Sequence, residues 1–170
     1  MMKKFKLYIF LFFLLLVACG RESGIIGPAP GSIYFNSFES AQDTLGWKGY
    51  GSIDFREDVP PGGGKRSLFV SGACSVPHAV FTLPALAEDG YYRLQFWGRN
   101  LQLGGGVTLA VEGLQTVEQV AVQDSNWLFL KTKRPLFCPR RYHLRLMLSS
   151  GGIVASAMLV DLIQIIKVSN

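Results

Sequence analysis

The residues with chemistry in reach are two histidines, three cysteines and twelve carboxylates. His78 and His143 stand alone in sequence, and neither belongs to a His-Glu-x-x-His zinc motif. No Gly-x-Ser-x-Gly nucleophile elbow occurs. The triple glycines at 62–64 and 104–106 lack the Gly-Lys-Ser/Thr of a phosphate loop and read as strand connections. Hydrolysis of a glycosidic bond needs two carboxyl groups flanking it. Glu39, Asp54, Glu57, Asp58, Glu112, Glu118 and Asp161 are available, but no spacing pairs any two of them. The expectation is therefore a binding protein and not an enzyme. Of the cysteines, Cys74 and Cys138 have no second ligand at metal-binding spacing. In an oxidising compartment they can pair as a disulfide, or they can remain two separate buried thiols.

The third cysteine sits in a different setting. Met1-Met2-Lys3-Lys4-Phe5-Lys6 is basic, and Leu7 to Ala18 is an unbroken apolar run. That run is short for a membrane-spanning helix, which takes about 20 apolar residues, and has the length of an export-signal core. It ends in Leu16-Val17-Ala18-Cys19-Gly20. This resembles the lipobox of bacterial lipoproteins, in which the thiol of the cysteine takes a diacylglycerol. The resemblance implies removal of residues 1–18, acyl lipid on Cys19, and a membrane as partner. Several acyl chains on one residue hold firmly where one chain is marginal. Gly20 stands where an Asp would resemble an inner-membrane retention signal. The expected location is thus the cell envelope, on the outer membrane.

Residues 19–31 are broken by glycine and proline and read as a flexible tether. Of the 17 basic residues, Lys3, Lys4 and Lys6 leave with the leader, so 14 face 12 acidic ones. A balance so close to neutral gives no reason to expect nucleic acid as a partner. The basic residues do gather at Lys131-Thr132-Lys133-Arg134 and at Arg140-Arg141.

The elements that must position these groups read as strands. Tyr91 to Arg99 alternates, with Tyr92, Leu94 and Phe96 on one side and Arg93, Gln95, Trp97 and Arg99 on the other. Arg141 to Leu148 alternates with Tyr142, Leu144, Leu146 and Leu148 inward. Further β-prone runs lie at 32–36, 52–56, 67–71, 78–83, 107–111 and 127–132, and a strand pair is expected within 153–168. No segment carries a helical period. One all-β domain over 32–170, a sandwich or jelly roll, follows.

The order of Phe38-Glu39, Trp47, the Gly-rich loop before Ser67-Leu68-Phe69-Val70-Ser71-Gly72, Tyr92 to Trp97, Trp127 and Val160-Asp161-Leu162-Ile163 is similar to the galactose-binding-like jelly roll of carbohydrate-binding modules. The resemblance spans about residues 32–168. It implies a structural calcium held by Glu39 and Asp161 with backbone carbonyls near Lys65 and Ser67, since calcium takes several oxygen ligands. It also implies a glycan-binding face of aromatic rings and hydrogen-bonding groups. Trp97, Gln95 and Arg145 would form that platform if their strands share one sheet, with Tyr50 and Trp47 as loop contributors. The competing expectation is a structural envelope lipoprotein whose sheet face contacts a protein partner.

Overall fold

The computed structural model describes residues 26–49, 52–72, 78–151 and 155–169. Among the described residues twelve strands form two antiparallel sheets. The larger sheet holds seven: β1 (Ser32–Asn36), β3 (Ser52–Arg56), β4 (Ser67–Gly72), β6 (Gly90–Gln102), β9 (Leu128–Lys131), β10 (Leu136–Cys138) and β12 (Ser156–Val168). Its centre is the long pair β6 and β12. On the far side of β6 lie β10 and β9 in turn, and on the far side of β12 lie β4 and β1, with β3 beyond β4. The smaller sheet has the order β2 (Trp47–Gly49), β5 (Ala79–Thr82), β11 (Leu144–Ser150), β7 (Gly105–Val111) and β8 (Val117–Val122).

Alternation decides which residues enter the core. Tyr92, Leu94 and Phe96 from β6 meet Leu144, Leu146 and Leu148 from β11 between the sheets, all buried. Val107, Leu109 and Val111 of β7 join them at the same level. Burial of each such side chain contributes about 1.5–3 kcal/mol. Phe38 is also fully buried and packs against Trp47, which in turn lies against Phe81 on β5. Trp47 is therefore a core-side residue.

Two expectations are corrected. The last segment is a single strand of 13 residues and not a pair. Met158 and Val160 point inward before a bulge, and Ile163 and Ile165 point inward after it. Leu162, at φ 49°, supplies the extra residue that switches the phase. Tyr142 is exposed, because Arg141 turns the chain at φ 70° and strand pairing begins only at Leu144. From Ile26 on, the chain lies against the domain: the Ile26 N–H donates to Gly62 O at 2.9 Å. Ala29 N–H then donates to Gln164 Oε1 at 3.0 Å, which fastens this segment across the outside of β12.

Candidate functional site

The glycines at 62–64 let the chain between β3 and β4 fold tightly over β12. Gly64 has φ 73°, and a Cβ there would collide with the Glu39 carboxylate. A Cβ on Gly63 would come within 2.5 Å of Asp161 Oδ2. The loop therefore closes on both acids at once. Glu39 Oε1 and Oε2 accept the Lys65 N–H at 3.1 and 3.0 Å. Asp161 is fully buried on the outward side of β12. Its Oδ1 accepts the Leu162 N–H at 2.7 Å, while Oδ2 has no hydrogen-bond partner. Burial pushes the Asp161 carboxyl up to about 8; the Leu162 N–H pulls it back and repulsion from Glu39 adds to the rise. Two neighbouring carboxylates, one with an orphaned buried oxygen, form a donor set suited to a hard cation. Among the described residues no three His, Cys, Asp or Glu side chains cluster, so backbone oxygens of the glycine loop would have to fill the rest of the shell.

Asp161 stands opposite Trp97 in the β6–β12 register. Trp97 and Gln95 project from the outer face of the larger sheet. On the other side of β6, Trp97 faces Phe129 and Gln95 faces Lys131. The two rings are 5.8 Å apart at 56°, and Phe129 is 47% exposed. Arg93 and Arg99 continue the same row. This half of the outer face lies open beside the half that the N-terminal segment and glycine loop cover.

Arg145 does not join this platform. It lies on β11 between Thr82 and Ala110, facing outward from the smaller sheet. The core separates the two outward faces. Strand parity had placed Arg145 on the outside of its own sheet, but not on the same sheet as Trp97. Its nearest acid is Glu112, at 3.8 Å. Tyr50, Cys19 and Cys74 lie outside the described residues.

Cys138 is buried on β10 and faces Gly90 at one end of β6. The pairing with Cys74 that the sequence left open falls on a residue outside those described.

Asp58 is a connector that the sequence did not single out. Its Oδ1 accepts the Trp127 indole N–H at 2.8 Å, its Oδ2 pairs with Arg99, and its carbonyl accepts the Ser67 hydroxyl at 2.6 Å. Trp127 thus lies half-buried against the outer face and not in the core. The histidines are structural. His78 is buried, accepts the Ser150 N–H at Nδ1 (2.9 Å), and is held towards its neutral form by burial. His143 Nδ1 lies 2.8 Å from Leu83 O.

The same architecture occurs in solved carbohydrate-binding modules. The xylan-binding CBM22-1 domain of Paenibacillus barcinonensis Xyn10C superposes with a TM-score of 0.61 at 20% identity, over 85% of this chain and 99% of that one. The fold is the jelly roll of carbohydrate-binding modules. The family 11 module of the Clostridium thermocellum cellulase Lic26A-Cel5E gives a TM-score of 0.53 at 16% identity, over 83% and 97% of the two chains. This jelly roll also occurs inside larger enzymes. The enzymatically active fragment of bacteriophage CBA120 tailspike protein 4 matches at TM-score 0.58 and 15% identity, over 85% of this chain but 22% of that one. No protein-family pattern matches the sequence, and no curated protein matches it. The likeness is one of fold, and function has to be argued from this chain's own side chains.

Proposed function

We propose that this protein is a lipid-anchored, non-catalytic module that binds a glycan at the bacterial envelope. The observation that carries the reading is the open outer-face group of Trp97 and Phe129 beside Gln95 and Lys131. Rings offer flat apolar surface to the underside of a sugar, and the polar pair offers hydrogen bonds to its hydroxyls. A surface built for an envelope protein would carry a broad apolar patch. Around Trp97 the neighbours in the row are Gln95, Arg93 and Arg99 instead.

Calcium belongs to this reading as a structural ion. Glu39 and Asp161 would hold it, and its charge would neutralise two acids that otherwise repel each other. Its effect would be to pin the glycine loop and the strand behind Trp97. Cys19 would carry the acyl lipid, with the outer membrane as the expected location.

The test is affinity electrophoresis of the full chain, purified in detergent, through gels containing different polysaccharides. Retention that Trp97→Ala abolishes and Arg145→Ala leaves intact supports the reading. Lack of retention on every polysaccharide, or equal loss in both variants, rejects it. In parallel, Cys19→Ser should move the protein from the membrane fraction to the soluble fraction. Membrane retention of that variant would disprove the anchor.

A further inference from the structure

Two aromatic pairs stand on the outer face of the larger sheet, one at the start of β6 and one near its middle. Tyr91 and Phe137 face each other in register, with ring centroids 5.2 Å apart at 51°. Trp97 and Phe129 form the second pair. Phe137 is 42% exposed, close to the value for Phe129. Six residues of strand separate Tyr91 from Trp97, roughly 20 Å. Neither pair is large enough alone to form an apolar interface.

The interval between them is cationic. Arg93 and Gln95 project from β6, and Lys131 lies across from Gln95. Opposite Arg93 the edge opens into residues 132–135 between β9 and β10, which bring Lys133 and Arg134. Arg134 is engaged by Glu118 and Arg99 by Asp58. Among the described residues no ion pair involves Arg93, Lys131 or Lys133. The acids near the Tyr91 end are already occupied: Glu88 pairs with Lys167, and Asp89 accepts the Arg140 N–H. Arg93 Nε is buried and has no hydrogen-bond partner.

Resting on the glycan reading above, we infer that this face binds an anionic polysaccharide laid along β6. Two sugar rings several units apart sit on the two aromatic pairs. The acidic groups of the units between them meet Arg93 and Lys131. The spacing requires a polymer, since a single sugar reaches only one pair. The unpaired cations require that the polymer be acidic.

The experiment compares the full chain in detergent against polygalacturonate and alginate, against their carboxyl-reduced neutral counterparts, and against oligo-dT as a non-glycan polyanion. The expected result is retention by at least one acidic polysaccharide, weakened by salt and lost on carboxyl reduction. Arg93→Gln and Lys131→Gln should each weaken it roughly tenfold, the scale of one charge-assisted hydrogen bond. Phe137→Ala at the far end should weaken it as Trp97→Ala does, with unfolding temperatures confirming that each variant is folded. Equal binding of the acidic and neutral forms would overturn the anionic inference and leave the glycan reading standing. Retention of oligo-dT as strong as that of the acidic glycans would overturn it too, as would Phe137→Ala binding like the parent. If none of the polysaccharides is retained, both readings fail together.

Discussion

Trp97 and Asp161 are register partners across β6 and β12, and the boundary between open and covered sheet runs between them. The ring is partly exposed, whereas the carboxylate is sealed beneath the glycine loop. A proposed ion site and a proposed ligand face therefore share one rung of the sheet, and changes at one should be felt at the other.

The buried acid makes a pH prediction. In chelator, the folded Asp161 keeps its proton to about pH 8, while the unfolded chain releases it near the ordinary value of 3.8. The folded-state pKa is raised, so this contribution to stability is complete below about pH 4 and is lost as pH rises towards 8, by up to about 1.4 kcal/mol per unit. Urea unfolding across that range should show the decline, and Asp161→Asn should flatten it. Excess calcium should raise the parent's stability most at the alkaline end and leave Asp161→Asn unchanged. A calcium response that survives in the variant would remove Asp161 from the site.

Gly64→Ala should destabilise by about 1–3 kcal/mol. The site combines φ 73° with a Cβ position that the Glu39 carboxylate already fills. Thermal unfolding measures the loss, and Gly113→Ala is a useful control. Gly113 has φ 80° but open space around its Cβ position, so only the backbone part of the penalty should appear there.

Thiol titration of the unreduced, denatured chain should find Cys74 and Cys138 both free. A reductant should then leave the unfolding temperature unmoved. A shift of several degrees on reduction would show the two thiols bonded.

Asp58→Ala should cost about 1–3 kcal/mol, because Trp127 Nε1 loses its acceptor and Arg99 Nη1 its carboxylate partner, leaving Arg99 only the Nε bond to Ser125 O. The Trp127 emission should shift to the red as the indole opens to water. An unchanged spectrum would mean that the ring is held by packing alone.

The long alternating strands were legible in the sequence because one face of each is buried, as β6 and β11 demonstrate. The fused last strand was not, since the bulge at Leu162 switches which parity points inward and imitates a break. Leu128-Phe129-Leu130 conceals the outward ring for another reason: with three apolar residues in a row, alternation is silent. Short edge strands such as β8 and β10 carried too little pattern to be read. Glu39 and Asp161 were reachable through the motif order that resembles carbohydrate-binding modules, and the structure does bring them to one loop. Arg145 was misassigned because parity states a face within a sheet but not which sheet.

The docking of Ile26 against Gly62 would shorten the leash that the proposed lipid on Cys19 provides. Only six residues, 20–25, remain between Cys19 and the packed body, so a lipid on Cys19 could be no more than about 25 Å from Ile26 even with the chain drawn straight. The attachment point lies on the same side of the molecule as the open strand face. With the proposed lipid in place, a domain moored this way would stand close to its bilayer and sample only a thin shell of the envelope above it. Any polymer it gripped would then run within that shell, alongside the membrane surface.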